Sequence, residues 1–409
     1  MSGERPLDKM FDKFLEFPEL IKDRQKLSPN YVPRELPHRD RQIKTIGSIL
    51  ASALRGGVPS NILCYGETGT GKTVVSSYVL EGLLEKAKKE FHKKPIMTAN
   101  INCRVVDTHY RILATLCKAV NRHVPKTGLA TSQLFNTFVE AVDKTNQLLI
   151  ILLDEIDYLV KRPGGNDVLY ALTRIKTRLR ASDVSMIGIS NDLKFKELLD
   201  PRVLSSLSEE EVVFHPYTAL ELQDILQRRA NACFNDGAVG FGVINLCAAL
   251  AAKEHGDARR AIELLRVAAE LAEREGKSSV SEDHVRSAQR QIDRDIISEA
   301  MNKLPQQQKM VLYVIYLLEK SNRQNIFSGD VYNLYRQLCE NTHFDKLTHR
   351  RVSDLINELD MLGLVNAKII SKGRYGRTKR ITLSISRRII QENLEKDPWI
   401  SKLKAAHFS

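Results

Sequence analysis

The stretch Gly66-Glu67-Thr68-Gly69-Thr70-Gly71-Lys72-Thr73 comes after an apolar run, Ile62-Leu63-Cys64-Tyr65, and leads into a segment of helical character, Val74 to Lys89. Strand, glycine loop and helix in that order are the setting of a phosphate-binding loop of the G-x-x-x-x-G-K-T type. The glycines let the backbone wrap closely around phosphate oxygens. Loop amides and the helix N-terminus supply positive partial charge. In such a loop Lys72 reaches the β- and γ-phosphates, and the Thr73 hydroxyl holds Mg²⁺. The alternative is a glycine-rich turn without a ligand.

The residues downstream of the loop weigh against that alternative. The apolar run Gln147 to Leu153 ends in Asp154-Glu155. Alone, this marks a strand end with solvated acids. Behind a phosphate loop, Asp154 takes a place in the Mg²⁺ shell, and Glu155 polarises the water that attacks the γ-phosphate. The run Val184 to Ser190 ends in Asn191, which either orients that water or starts a turn. Further strands are expected at Pro95 to Asn102 and Val212 to His215, with helices at Asp40–Leu54, 108–122 and Ser132–Asp143. Strands alternating with helices give a parallel α/β sheet. The helix pair 108–143 is large for a simple crossover, and its loop carries Arg122, His123 and Lys126. Arg174, Lys176, Arg178 and Arg180 mark another helix, with Arg174 and Arg178 four apart on one face, either solvated or turned to DNA. Ahead of the loop, residues 1–30 read as an arm. Pro33 and Pro37 then hold Tyr31 to Arg39 extended. Tyr31, Val32 and Arg39 either cover a nucleotide base or form an ordinary packed lead-in.

From Pro216 the pattern is helical: Leu220–Ala232, Val239–Lys253, Asp257–Glu275 and Ser281–Glu299. Ser281 and His284 mark the start of the last by side-chain capping. Arg259, opening the third, either reaches the γ-phosphate from a helical lid or is a surface residue. Arg202 either reaches a nucleotide on a neighbouring subunit or lies on the surface. Helices at Gln306–Lys320, Ser328–Cys339 and Thr348–Leu362 precede strands at Val365–Ile370 and Ile381–Ile385, the order of a winged helix-turn-helix. Its third helix would offer Thr348, His349, Arg350, Arg351 and Ser353 to a major groove. The hairpin tip carries Lys372, Arg374, Tyr375, Arg377 and Lys379, suited to phosphates or a minor groove. A winged helix used for protein contact is the alternative, and the basic tip weighs against it.

The charge balance agrees. The 409-residue chain has net charge +12, and from Ser298 onward 19 Lys and Arg face 11 Asp and Glu. That local excess points to nucleic acid rather than to general solubility. The six cysteines have no metal-ligand spacing and read as buried thiols in a reducing compartment. Met1 to Lys22 is charged throughout, and the longest apolar run, Leu148 to Leu153, is too short for a membrane. The expected location is cytoplasmic and nucleoid-associated.

The order of phosphate loop, acidic pair, strand-end Asn and G-D-x-R resembles that of an AAA+ ATPase. The phrases Leu36-Pro37-His38-Arg39, GETGTGKT, LLDEID, GISND, Phe214-His215-Pro216-Tyr217 and GDARRAIELLR, with the terminal winged helix, resemble the archaeal form of the origin recognition complex and cell division control initiators. The resemblance implies an AAA+ nucleotide-binding α/β domain over 1–215, a helical lid over 216–299 and an α+β winged-helix domain over 300–409. It implies ATP or ADP held with Mg²⁺ by Tyr31, Val32, Arg39, Gly66 through Val74 (including Glu67, Thr68 and Thr70), Asp154, Tyr217, Ile225 and Arg259. It places Thr73 and Asp154 at the metal, and Glu155, Asn191, Arg202 and Arg259 in catalysis. It implies duplex origin DNA as a ligand, with Arg122 and Lys126 in a second DNA contact, the replicative minichromosome maintenance helicase as a partner, and paralogous initiators as further partners. Where eukaryotic relatives carry Ser-Arg, this chain has Ser205-Ser206, and Arg202 is the nearest arginine. Two rivals stay open on the residues alone: a branch-migration type DNA motor and an ATP-dependent winged-helix transcription regulator.

Overall fold

The computed structural model describes residues 12, 15, 17–28, 31–89, 94–106, 108–125, 127–162, 164–321, 325–342, 345–371, 377–394, 397 and 400. The chain forms two compact units, Met1–Ala288 and Gln289–Ser409.

In the first unit five strands form a parallel sheet: β1 (Ile62–Gly66), β2 (Ile96–Asn102), β3 (Leu148–Asp154), β4 (Asp183–Ser190) and β5 (Glu210–Phe214). They lie in the order β2-β3-β4-β1-β5. Strand β3 is buried at every position but Asp154, as a strand covered on both faces must be. Its alternate residues serve two cores. Leu149, Ile151 and Leu153 face one layer, built with α3 (His109–Ala119) and α4 (Thr131–Asp143). Leu148, Ile150 and Leu152 face another, built with α1 (Asp40–Leu50) and α2 (Lys72–Lys89). Three short helices come next: α5 (Ile156–Val160), α6 (Gly165–Thr173) and α7 (Pro201–Leu207). Because β4 lies between β1 and β3, the carboxyl ends of all three sit side by side, where an open α/β sheet binds ligands.

Helices α8 (Ala219–Cys233), α9 (Val243–Lys253) and α10 (Ala258–Arg274) build the lid, and α11 (Glu282–Asn302) comes after them. The start of α11 is capped by His284, whose Nδ1 accepts the Ser281 backbone N–H at 3.0 Å. Helix α9 begins four residues later than the sequence pattern predicts. Val239 instead bridges to Val280, and Gly240 N–H donates to the Val280 carbonyl.

Two expectations are corrected by the structure. Residues 17–28 are not a free arm: Leu20, Ile21 and Leu27 are at most 2% exposed. Ile21 pairs with Phe234, and the buried Glu273 carboxylate accepts the N–H groups of Leu20 and Ile21 at 3.1 and 3.2 Å. These are long-range contacts with no periodic signature. The basic run 174–180 is not a helix but one 3-10 turn, Ile175–Arg178. Asp143 captures the N–H groups of Arg180, Ala181 and Ser182 at 2.7 to 3.1 Å and draws the chain out of helical geometry. Arg174 therefore lies 6.0 Å from the Tyr170 ring, while Arg178 lies 5.2 Å from the Phe135 ring.

The second unit contains α12 (Gln306–Lys320), β6 (Ile326–Phe327), α13 (Ser328–Thr342), α14 (His349–Met361), β7 (Val365–Ser371), β8 (Arg377–Leu383) and α15 (Arg387–Leu394). Its antiparallel sheet runs β6-β8-β7 around a core that includes Tyr313, Tyr335, Ile356 and Ile381. This is a winged helix. Strand β8 begins at Arg377 rather than Ile381, so Arg377 through Arg380 belong to the ladder opposite Lys368 through Ser371.

Candidate nucleotide site and nucleic-acid interface

The loop 66–73 joins β1 to α2 and takes its shape from glycines at positions a side chain would obstruct. A Cβ at Gly66 would meet the Phe214 carbonyl at 2.2 Å. Gly69 has φ +73°, and a Cβ there would lie 1.7 Å from the Asp257 carboxylate. The loop therefore touches the lid directly, and Ala258 N–H donates to the Gly69 carbonyl at 3.2 Å. The buried Lys72 donates to the carbonyls of Gly66 and Glu67 at 2.9 and 2.7 Å. Burial pulls its ammonium down to about 8, partly offset by Asp154, with Arg259 adding to the lowering. Thr70 is fully buried and donates to the Glu67 carbonyl, whereas Thr68 is exposed.

Thr73 donates to the Asp154 carboxylate at 3.0 Å. A hydroxyl and a carboxylate oxygen side by side form a donor set that fits Mg²⁺. Burial pushes the Asp154 carboxyl up, opposed by the Thr73 hydrogen bond. Among the described residues no group of three or more His, Cys, Asp or Glu is placed to hold a metal. Glu155 has a left-handed backbone, φ 53°, and its carboxylate accepts from Asn102 at 3.1 Å, with Arg104 at 3.8 Å. Asn191 lies just past β4, and its backbone N–H donates to the buried Asp157 at 3.3 Å, beside a Ser190 hydroxyl bond to the same oxygen at 3.2 Å.

A cleft opens beside the loop. Tyr31, Pro33, Leu36 and Pro37 form one wall; Gly69, Gly71, Val74 and Val75 form the floor; Tyr217, Ile225, Arg229, Ala258, Arg259 and Ile262 come from the lid side. Of the residues assigned to nucleotide, Tyr31, Arg39, Gly69, Gly71, Val74, Tyr217, Ile225 and Arg259 thus line one cleft. Val32 does not: it is 43% exposed and lines a separate groove with Tyr78 and Val79, because the extended lead-in alternates its side chains. Arg39 lines the cleft but is 4% exposed, and its hydrogen bonds go to protein carbonyls. Arg202 forms a two-pronged pair with Asp200 at 3.1 and 2.8 Å, holding that carboxyl down to about 2, and its guanidinium lies 4.9 Å from the Tyr170 ring.

Three residues escaped the sequence reading. Asn102 sits opposite Asp154 in the β2–β3 register, a neighbour visible only once strand order is known. Asp157 is part of the LLDEID phrase and anchors the end of β4. Arg229, 8% exposed, donates to the carbonyls of Lys26 and Tyr31 and lies 5.0 Å from the Tyr31 ring, fastening the lead-in to the lid.

In the winged helix, the Thr348 hydroxyl caps α14 by accepting from the Arg351 N–H at 3.3 Å. The His349 ring meets Tyr332 edge-on at 5.0 Å. Arg350 is exposed, and Arg351 pairs with Glu358 at 3.1 Å. Lys379 is occupied within the fold: it donates to the Ser353 carbonyl, the Ser353 hydroxyl and the Asn357 amide oxygen at 3.1, 2.7 and 2.7 Å. Arg377 opens β8 opposite Ser371. Lys372, Arg374 and Tyr375 lie outside the described residues, as does Lys126. In the first unit, Arg122 is exposed and lines a groove with Arg111, Lys118 and His123.

A phosphate loop after β1, an acidic strand end two strands away, a helical lid and a separate winged helix define a AAA-type P-loop protein with a DNA-binding type of terminal module. Family models agree along the chain: an AAA domain over 57–193, a "Cdc6 AAA+ ATPase-type lid domain" over 223–290 and a "CDC6, C terminal winged helix domain" over 299–393. The ORC1-type DNA replication protein 1 of Methanosarcina mazei is 51% identical over 100% of this chain and 99% of its own. The ORC1-type DNA replication protein of Pyrococcus furiosus is 51% identical over 97% of this chain and 95% of its own. The Aeropyrum pernix ORC1 protein, solved in complex with DNA, is 44% identical, covers 94% of this chain and 99% of its own, and superposes with a TM-score of 0.86. The chain belongs to the family of ORC1-type DNA replication proteins.

Proposed function

We propose that the protein is a DNA replication initiator that binds duplex origin DNA under the control of bound ATP, hydrolyses that ATP slowly, and helps recruit the replicative helicase. The observation that carries this is a phosphate loop whose Thr73 hydroxyl meets the Asp154 carboxylate and whose Lys72 ammonium feels both Asp154 and Arg259, beside a cleft that Arg259 lines, in a chain whose other unit is a winged helix with Arg350 exposed on α14.

The cleft takes the adenine between the Tyr31–Pro37 lead-in and Ile225, with the phosphates on the loop amides and the N-terminus of α2. Lys72 leaves its loop carbonyls for the β- and γ-phosphates. Thr73 and Asp154 would hold Mg²⁺, which would supply charge neutralisation at the phosphate oxygens. Glu155 orients the attacking water once its carboxylate leaves Asn102, and Asn191 stands at the strand end between the two. Arg259 reads the γ-phosphate from the lid. Arg350 and Arg351 approach base edges, while the wing and the Arg122 groove meet phosphates. Paralogous initiators join it on DNA, and the protein works in the cytoplasm on the nucleoid.

Fluorescence anisotropy on origin-derived and scrambled duplexes tests this. Arg350→Ala/Arg351→Ala should weaken binding and narrow the gap between the two sequences. A double variant that binds both duplexes like the wild type would make the winged helix a protein-contact module. Glu155→Gln should bind ATP without turning it over, and a variant that hydrolyses normally would remove Glu155 from the mechanism.

A further inference from the structure

Tyr31, Pro33, Leu36 and Pro37 of the lead-in line the cleft, while the hydrogen bonds of Arg39 go to the protein itself. His38 has φ +63°, a left-handed conformation that turns the next side chain inward. Arg39 Nε then donates to the Thr70 carbonyl inside the phosphate loop at 2.9 Å. Its Nη2 donates to the carbonyl of His215, the first residue after β5, at 2.8 Å. Its guanidinium lies 3.7 Å from the centre of the Tyr217 ring. The three partners belong to different segments: the loop, the end of the sheet, and the strap that enters the lid.

Tyr217 carries the connection onward. Its backbone N–H donates to the Gly256 carbonyl at 3.2 Å. Gly256 has φ +64°, and a Cβ there would meet the Tyr217 carbonyl at 2.5 Å, so the two segments are in backbone contact. The next residue, Asp257, caps α10 by accepting from the N–H groups of Arg259 and Arg260 at 2.7 and 3.2 Å, and its carboxylate rests on Gly69. Thr70, Arg39, Tyr217, Gly256-Asp257 and Gly69 therefore close a ring of contacts that begins and ends on the phosphate loop.

We propose that Arg39 is the positioning residue that transmits occupancy of the phosphate loop to the lid. A phosphate held by the Thr70–Thr73 amides turns the peptide planes of the loop, and the Thr70 carbonyl turns with them. A guanidinium that is planar, donates on two edges and is stacked on its face cannot follow one partner without moving the others. The strap and the α10 cap are thereby set by the loop, which places Arg259. This role rests on the reading that the cleft holds ATP, and the test separates the two.

The test uses the full chain with Arg39→Met, Arg39→Lys and Tyr217→Leu. A fluorescent ATP analogue reports binding, and hydrogen–deuterium exchange follows peptides covering 66–76, 212–222 and 253–262, with and without ATP. In the wild type ATP should slow exchange in all three. In Arg39→Met the nucleotide Kd should rise about tenfold, the scale of one charge-assisted hydrogen bond lost behind the loop. Protection should persist at 66–76 and vanish at 212–222 and 253–262. Arg39→Lys keeps the charge but not the two-edged geometry and should restore binding more than lid protection. Should Arg39→Met fail to fold, Tyr217→Leu carries the same expectation, since it removes the stacked face. Full ATP-dependent protection of both lid peptides in Arg39→Met, or in Tyr217→Leu, would overturn the proposal. A wild type in which ATP leaves 66–76 unprotected would instead overturn the nucleotide reading beneath it.

Discussion

Replacing Lys379 by methionine separates two roles for the wing. By sequence Lys379 is one of several basic residues at a hairpin tip and should touch phosphate. In the fold its three ammonium hydrogens are directed at three oxygens on α14, those of Ser353 and Asn357. Burial also draws its ammonium below the ordinary lysine value. Methionine keeps the apolar stem and removes the bonds. Each contributes about 1 kcal/mol net, and the relieved burial of the charge returns part of that, leaving a loss of about 2 kcal/mol. For a unit of this size the melting transition should fall by about 8 °C. Calorimetry on the full chain measures this directly. Duplex binding over a salt series supplies the second readout. Lys379→Met should leave the slope of log K against log salt unchanged, because its ammonium is directed at α14 and not at a phosphate. A Lys379→Met protein that melts like the wild type but loses about 0.9 from its slope would refute the assignment.

Asn102→Ala frees the Glu155 carboxylate from its 3.1 Å hydrogen bond, and ATP turnover without DNA should rise about fivefold, equivalent to about 1 kcal/mol; a fall in single-turnover rate would show instead that Asn102 aligns Glu155 for catalysis. Gly69→Ala combines a left-handed φ, worth about 1–2 kcal/mol, with a Cβ 1.7 Å from the Asp257 carboxylate, so calorimetric ATP affinity should fall more than about tenfold; wild-type affinity would contradict the loop–lid contact. Asp200, held near about 2 by Arg202, contributes stability that is present above its unfolded value and is lost as pH falls through about 2. In Arg202→Ala its carboxyl, followed by NMR, should titrate higher while the backbone N–H of residue 202 still holds it below the ordinary value of about 3.9, and an unmoved titration would show that the pair is not formed in solution.

The parts of the fold that sequence made legible are those fixed locally. Glycines before Lys72, a continuous apolar strand ending in Asp154, and helices with capped starts all arise from short-range physics. The hidden parts depend on which segments become neighbours. Glu273 holds Leu20 and Ile21, more than 240 positions earlier in the chain, so these residues read as part of an arm although they pack on the lid. Asp143 decides the path of 180–182 from another element, so a run of arginines and lysines read as a helix. Charge alone does not say where a side chain goes: Lys379 turns back on α14, and Arg202 folds onto its own N-cap. In the candidate site the loop and the acidic pair were readable, whereas Asn102 required the β2–β3 register.

Control of DNA binding by a nucleotide seated on Lys72 is tested most directly by Lys72→Ala, with ATP binding and duplex anisotropy in ATP and in ADP measured on the same protein. The variant should lose nucleotide binding, keep much of its DNA affinity, and no longer distinguish ATP from ADP. ATP binding at wild-type strength in Lys72→Ala would contradict the placement of the nucleotide in this cleft, and with it the proposed nucleotide control of DNA binding.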